Sequence, residues 1–311
     1  LFHTLAMVCD WQTRVTDTES LEALLKRQLD ASDSFTVKHS SNIVPYLSMQ
    51  PFTTLAFSQE ELGGDIEPLL RLNAAYAKRA RKVVELQELP VFTYRARMPN
   101  ERLRIGYVSA QFGSHPSAFL LQGALAGHDE AEFQVFLYAT NNDDRSRVRR
   151  RLEREVEHFK NIAGLTHFEA AKLINADGIH VLVCLDGYTA GARPEIFALR
   201  PAPIQIAFVS TYCGPMCADY LDYTLVDQEL AKAEDVRHAD THKLIVLPHS
   251  AMVCDHKQSA RFVLDVDQCP LRAEYGLEEE HFVFACFNQG YKIDPNTFAC
   301  WCRILERVPH A

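Results

Sequence analysis

The feature that most constrains the fold is an alternation of short apolar runs and amphipathic stretches that begins at Arg102. Seven apolar runs fit β-strands: LRIGYVS, FQVFLYAT, EHFKNI, HVLVCLD, IQIAFVS, DYTLVD and KLIVLPH. Helical stretches such as SAFLLQGALAGH, RSRVRRRLERE and HFEAAKLINADG separate them. Strands that alternate with helices predict βαβ units with right-handed crossovers, and therefore an α/β fold with a doubly wound parallel sheet.

The regions on either side of this alternation have a different pattern. DTESLEALLKRQLDAS and EPLLRLNAAYAKRARKVVEL predict two helices in the first hundred residues. A polar stretch after Pro248 indicates a connection, and the apolar run HFVFAC reads as a buried strand of a second α/β unit that starts near Cys269. We therefore expect a helical region at 1–100, a Rossmann-like half at 101–268 and the beginning of a second half at 269–311.

The charge balance limits the classes of partner. A formal net charge of -9 argues against a nucleic-acid or anionic-membrane binder, because those partners need an excess of Lys and Arg. The basic cluster Arg145–Arg154 fits a solvated helix face with i,i+3 and i,i+4 ion pairs. The nine scattered cysteines fit reduced packing thiols of a cytoplasmic or nuclear protein, and none of their spacings completes a zinc site.

Polar residues follow the first predicted strand. In SAQFGSHPSAFLL, Gly113 allows a sharp turn and Pro116 sits where a helix begins, so His115 lies beside the free amides of that helix start. A histidine there can act as a general base or orient a bound sugar. The alternative is a surface histidine that only forms hydrogen bonds.

A second polar turn, CLDGYTAGARPE, follows the fourth predicted strand. Asp186 stands at the carboxyl end of the strand, where ligands bind in open α/β sheets, and Thr189 and Arg193 offer polar groups to the same crevice. The alternative role for Asp186 is to cap the helix of residues 194–199. His180 fits a structural residue at the start of the strand.

The third polar turn, FNQGYKIDP, follows HFVFAC. Gln289 can pair with a pyrimidine edge or a ribose hydroxyl, and Lys292 is a compact cation suited to a diphosphate. The alternative is a plain helix entry in which the lysine only caps a turn.

Taken together, LRIGYVSAQFGSHPSAFLL, GARPEIFALRPAPIQ and FACFNQGYKIDPNTF resemble the catalytic region of the protein O-GlcNAc transferase family. The order and spacing of these blocks follow the family, and MQPFTTLAF is similar to the stretch that joins tetratricopeptide helices to the catalytic region in its plant members. The resemblance implies a GT-B architecture with two Rossmann-like halves and UDP-GlcNAc bound between them. It also implies inverting transfer of GlcNAc to Ser or Thr hydroxyls of intracellular proteins, with no metal and no cofactor besides the donor substrate.

The resemblance assigns roles to single residues. It places His115 beside the sugar and the acceptor, with Ser117 following it, and places Gln289, Tyr291 and Lys292 at the uridine and diphosphate. Lys292 would offset charge on the leaving UDP. Further candidates for substrate contacts are Gln111, Ser114, Asp186, Thr189 and Ser210.

Two departures from the family pattern leave alternatives open. Gln111 stands where the family has Asp, and the loop VSTYCGPMCADYLDY replaces the family's sugar-site loop, which affects expected contacts from Ser210 to Gly214. Because most of the second half lies beyond Ala311, we expect this stretch to be inactive alone. The alternatives are a GDP-fucose-dependent branch of the same fold, called SPINDLY-like, and a pseudoenzyme or interaction module.

Overall fold

The computed structural model describes residues 2–34, 47–54, 67–208, 214–229, 243–265 and 269–310. The chain divides into two compact units. The larger unit consists of Leu29–Phe52 and Ile66–Ser259, and the smaller unit consists of Leu1–Gln28, Thr53–Asp65 and Ala260–Ala311. The division into segments 1–100, 101–268 and 269–311 stays a prediction.

The predicted strands and helices of the alternating region are confirmed, with small shifts at their ends. The strands are β1 Leu103–Ser109, β2 Phe133–Ala139, β3 His158–Asn161, β4 Val181–Cys184, β5 Ile204–Ala207, β6 Tyr223–Asp227 and β7 Lys243–Leu247. The helices are α1 Phe2–Met7, α2 Arg14–Ser34, α3 Pro51–Thr54, α4 Glu67–Glu85, α5 Pro116–Ala126, α6 Arg147–Glu155, α7 His167–Ala176, α8 Pro194–Ala198, α9 His256–Ser259 and α10 Pro295–Arg307.

The seven strands form one sheet in the order β3-β2-β1-β4-β5-β6-β7. All neighbouring strands in it run parallel. The chain moves outward from β1 to β3 and then returns to β4 on the other side of β1, so the strand order reverses between β1 and β4. In open α/β sheets the crevice at such a switch point, at the carboxyl ends of the strands, is where ligands bind.

The core covers both faces of the sheet. One apolar cluster joins α5 and α6 to the sheet through residues such as Leu121, Val148 and Leu137. The other cluster joins α4, α7 and α8 to the opposite face through Ala80, Ile174 and Ile196. Because parallel strands are buried on both faces, their near-continuous apolar runs are explained by this packing.

The basic helix α6 differs from the prediction at one residue. Arg151 and Glu155 form the expected i,i+4 pair, but the side chain of Arg149 is only 1% exposed. The Arg149 guanidinium stacks 4.2 Å from the centre of the Phe159 ring and donates to the carbonyl oxygen of Phe112 at 3.0 Å. Within α6, Arg149 Nε also donates to the Glu153 carboxylate at 2.7 Å. The face is thus partly a packing surface, because a guanidinium can be buried when its donors are satisfied.

The smaller unit corrects one expectation. The pattern of HFVFAC predicts a buried strand, but residues 281–286 form no strand, and Phe282 and Phe284 are 61% and 49% exposed. A parallel strand needs a neighbouring strand for its hydrogen bonds, and among the described residues of this unit no strand lies beside it. The amide of Phe282 instead donates to the carbonyl oxygen of His310 at 3.0 Å.

Within the described ranges, no helix is both long enough and apolar enough to span a bilayer.

Candidate functional site

A buried carboxylate joins the ends of β1 and β4 at the switch point. Asp186, two residues after β4, accepts hydrogen bonds from the Ser109 hydroxyl at 2.6 Å and from the backbone N–H of Ala110 at 2.6 Å. The Ser109 oxygen in turn accepts from the backbone N–H of Gln111 at 2.9 Å. The capping alternative for Asp186 is wrong, because α8 has Arg193 at its N-cap and no side-chain cap. Asp186 instead fixes the turn that follows β1.

The same network brings Gln111 and Thr189 together. The side-chain amide of Gln111 donates to the Thr189 hydroxyl oxygen at 3.1 Å, and that hydroxyl donates to the carbonyl oxygen of Asp186 at 2.9 Å. Gly191, in the left-handed region at φ +82°, permits the close approach of this turn, since a Cβ there would lie 3.0 Å from the Cβ of Ala110. Three of the predicted residues therefore form one polar cluster.

Arg193 does not join that cluster. Its guanidinium donates to the carbonyl oxygens of Ile162 at 3.1 Å and Leu165 at 2.8 Å, which holds the loop before α7. The predicted structural role of His180 is confirmed, because its Nδ1 accepts from the backbone N–H of Arg104 at 2.9 Å.

His115 is the N-cap residue of α5. Its Nδ1 accepts from the backbone N–H of Ser117 at 3.2 Å, and Pro116 fills the first helical position. In neutral imidazole the nitrogen that does not accept carries the proton, so this arrangement leaves Nε2–H as a donor. Burial lowers the pKa of His115, which favours the neutral ring. The side chain can therefore orient an oxygen of a ligand by donating to it.

Two residues that the sequence analysis missed support the turn before His115. Asp144, in the loop after β2, accepts from the backbone N–H of Ser114 at 2.6 Å. A Cβ on Gly113 would lie 2.5 Å from the same carboxylate, so the glycine leaves room for it. Ser109 is the other missed residue. Its place at the end of β1, opposite the polar end of β4, was the available signal.

The remaining predicted residues lie in the smaller unit, on the 3₁₀ helix Gly290–Lys292 and the residue before it. The ring of Tyr291 lies 5.2 Å from that of His3, and the carbonyl of Met7 occupies the space that a Cβ on Gly290 would need. Gln289 and Lys292 are exposed. The Lys292 ammonium lies 6.0 Å from the centre of the Tyr291 ring.

Two further expectations concern Ser210 and metals. Ser210 lies outside the described residues, so its expected sugar contact stays a prediction. Among the residues that the structure describes, no group of three or more His, Cys, Asp or Glu side chains is arranged to hold a metal ion.

Asp186 makes stability depend on pH. Burial raises its pKa from 3.8 to about 6, although the hydrogen bonds from Ser109 and Ala110 oppose the shift. The Asp186 carboxyl is therefore protonated more readily in the folded state than in the unfolded state. Its protonation stabilises the folded state fully below the unfolded pKa of 3.8, and this stabilisation is lost as pH rises through about 6. Raising the pH from 4 to 7 should therefore lower the free energy of unfolding by about 2 kcal/mol through this group.

We therefore expect Asp186→Asn to be more stable than the parent at pH 7. The difference in stability between variant and parent should be about 2 kcal/mol larger at pH 7 than at pH 4. The amide can accept from Ala110 N–H and donate to the Ser109 oxygen, which keeps the geometry without the buried charge. Urea unfolding at both pH values measures this difference. The exposed Asp129→Asn is the control. A pH-independent difference for Asp186→Asn would contradict the assignment.

The chain is similar to known proteins over its whole length. Residues 72–268 and 268–311 match glycosyl transferase family 41. A protein of Arabidopsis thaliana, named probable UDP-N-acetylglucosamine–peptide N-acetylglucosaminyltransferase SEC, is 39% identical over 319 residues, which cover all of this chain and 30% of the relative. The UDP-N-acetylglucosamine–peptide N-acetylglucosaminyltransferase of Caenorhabditis elegans is 41% identical over 166 residues, covering 53% of this chain and 14% of the relative.

A solved structure is similar in fold. A mutant of Thermobaculum terrenum O-GlcNAc transferase superposes with a TM-score of 0.54 at 22% identity, covering 82% of this chain and 49% of that one. The expected fold class, GT-B-type α/β with a doubly wound sheet, is confirmed by this likeness and by the seven-stranded parallel sheet.

A doubly wound parallel sheet with a polar cluster at its switch point defines the class of open α/β proteins, in which the carboxyl ends of the strands form the ligand crevice. Within that class, the chain belongs to glycosyl transferase family 41. It spans less than a third of the length of the plant relative.

Proposed function

We propose that this chain is part of the catalytic region of a protein O-GlcNAc transferase, which transfers GlcNAc from UDP-GlcNAc to Ser or Thr hydroxyls. The observation that carries the proposal is the position of His115 at the start of α5, beside the switch-point turn, in a chain that belongs to family 41. The names of the plant and nematode relatives give the same donor and a peptide acceptor for those proteins.

The proposed roles follow from the chemistry of each side chain. His115 Nε2–H would donate to an oxygen of the sugar or the acceptor, and Ser117 would present its hydroxyl at the helix start. Gln289 and Tyr291 would contact the uridine side of the donor, and Lys292 would offset the charge that develops on UDP. The cluster of Gln111, Asp186 and Thr189 would shape the sugar side.

The finer parts of the proposal are supported by the resemblance alone. They are tetratricopeptide repeats in the longer protein, a cytoplasmic or nuclear location, and intracellular proteins as acceptors. The stretch MQPFTTLAF and the family blocks are the sequence features that support the repeats.

Competition between nucleotides tests the proposal in the longer protein. With labelled UDP-GlcNAc and a Ser-containing acceptor peptide, we expect transfer that UDP inhibits at least tenfold more strongly than GDP. A parallel assay uses labelled GDP-fucose as the donor in place of UDP-GlcNAc. Transfer of fucose with inhibition by GDP would favour the fucosyltransferase branch. Binding of UDP-GlcNAc without transfer to any acceptor would favour the non-catalytic alternative, for which Gln111 is the sequence feature.

A further inference from the structure

A cavity of about 360 Å³ lies at the amino end of β1, where Arg104 is the second residue of the strand. Its walls come from Thr93–Arg95 before β1, from Asn175 near the end of α7 and from Gly178 in the turn that follows. Ser109 ends the same strand at the carboxyl edge, roughly 17 Å away at the usual rise per residue. The cavity thus opens at the opposite edge of the sheet from the polar cluster of Asp186.

The charges around this cavity do not balance. Arg95 donates to the carboxylate of Glu101, and Arg104 forms an ion pair with the same carboxylate at 3.3 Å. Arg97 donates to the backbone carbonyl oxygen of Glu101 at 2.7 Å. Burial lowers the pKa of His180, and the three arginines lower it further although Glu101 opposes them, so its ring is neutral near pH 7. The three guanidinium groups therefore meet at one glutamate, two at its carboxylate and one at its backbone carbonyl.

The neighbouring acidic residue does not offset this excess. The carboxylate of Asp177 accepts from Lys160 at 2.6 Å and from the Tyr138 hydroxyl at 2.7 Å, so it is already paired with a cation. Only its backbone carbonyl turns to Arg104, accepting from Nη1 at 2.8 Å. Arginines therefore outnumber unpaired carboxylates around this cavity, although the whole chain carries a net charge of -9.

Each of the two lining arginines has at least one guanidinium N–H group without a hydrogen-bond partner among the described residues. The side chain of Arg95 is 54% exposed, and apart from its bond to Glu101 its guanidinium N–H groups have no partner among the described residues. Arg104 Nε is buried without a hydrogen-bond partner. Gly178, at φ +66°, makes room for this guanidinium, since a Cβ would lie 2.9 Å from Arg104 Nη1. Buried donors without partners are costly, so they indicate a place where an acceptor is expected.

We propose that this cavity binds a small phosphate monoester, the size of a phosphorylated sugar, through the guanidinium groups of Arg95 and Arg104. Planar guanidinium forks match phosphate oxygens, and their charge-assisted hydrogen bonds are stronger than neutral ones. The volume falls at the lower end of small-molecule sites, which selects a metabolite over a macromolecule. The position at the amino edge separates this ligand from the sugar donor proposed at the carboxyl edge.

Calorimetric titration of this chain with glucose 6-phosphate tests the proposal without any transfer assay. We expect saturable binding that weakens as salt is raised, and no binding of glucose. Arg95→Gln should weaken the affinity at least tenfold, because it removes an exposed lining cation. Arg95→Lys, which keeps the charge but loses the fork, should fall between Arg95→Gln and the parent.

Arg154→Gln is the matched control, because it removes the same charge from a side chain on α6 that is 70% exposed and does not line the cavity. We expect its affinity to stay within twofold of the parent. A melting temperature of ligand-free Arg95→Gln close to the parent value confirms that this variant folds. Equal affinity in Arg95→Gln and the parent, or no saturable binding by the parent, would overturn the proposal.

Discussion

Replacement of Lys292 by alanine is expected to abolish transfer, in the longer protein that contains the whole donor site, without changing the fold. The Lys292 side chain is exposed, and its backbone N–H bonds to the carbonyl of Gln289, which the substitution leaves in place. The ammonium is expected to offset negative charge on the leaving diphosphate. Removing such a group typically costs about 100-fold to 1,000-fold in kcat.

The measurement is the initial rate of GlcNAc transfer from labelled donor at saturating peptide. Lys172→Ala is the matched control, since Lys172 is an exposed lysine on α7. Lys292→Arg keeps the positive charge and should retain more activity than the alanine variant. Parental turnover in Lys292→Ala would exclude the proposed role of this residue.

Replacement of His115 is expected to remove most of the activity, and the choice of substituent separates chemistry from folding. His115 caps α5 through its Nδ1, so His115→Ala also loses a helix cap, at a cost of about 1 kcal/mol in the free energy of unfolding. Asparagine is a good N-cap residue, so His115→Asn should keep the stability of the parent. Both variants lack the Nε2–H donor, and both should transfer roughly 100-fold more slowly.

Two measurements on the same samples distinguish a role of His115 in transfer from a role as the cap of α5. Urea unfolding gives the stability, and labelled-donor transfer in the longer protein gives kcat and KM. If His115→Asn were as active as the parent while His115→Ala was less stable, the histidine would be a helix cap and no more.

The sequence predicted the sheet well because each strand carries its own signal. A buried parallel strand such as FQVFLYAT is apolar on both faces, and that pattern does not depend on the residues it meets later. The run HFVFAC carries the same signal but forms no strand, because pairing depends on a neighbour that local pattern does not encode. Local pattern therefore predicts the capacity to form a strand, and pairing decides whether it forms.

The candidate site was predicted residue by residue, but its connections were not. The polar turns pointed to Gln111, Asp186 and Thr189, yet their bonding through Ser109 joins residues more than seventy positions apart. A serine at a strand end is common, and its position opposite the polar end of β4 becomes a signal only once the pairing of β1 with β4 is known. Likewise, nothing in the Arg-rich stretch distinguished Arg149, which is buried, from its exposed neighbours, because burial is set by the approach of Phe159 from another element.

The bond between Arg149 and the carbonyl of Phe112 has a consequence for genetics. It connects the middle of an outer helix to the residue just before Gly113, in the turn that carries His115. A screen for loss-of-function alleles would then recover changes at Arg149, far along the chain from the polar turn of Asp186. Such alleles would look like damage to a surface helix, although the defect would be a displaced imidazole.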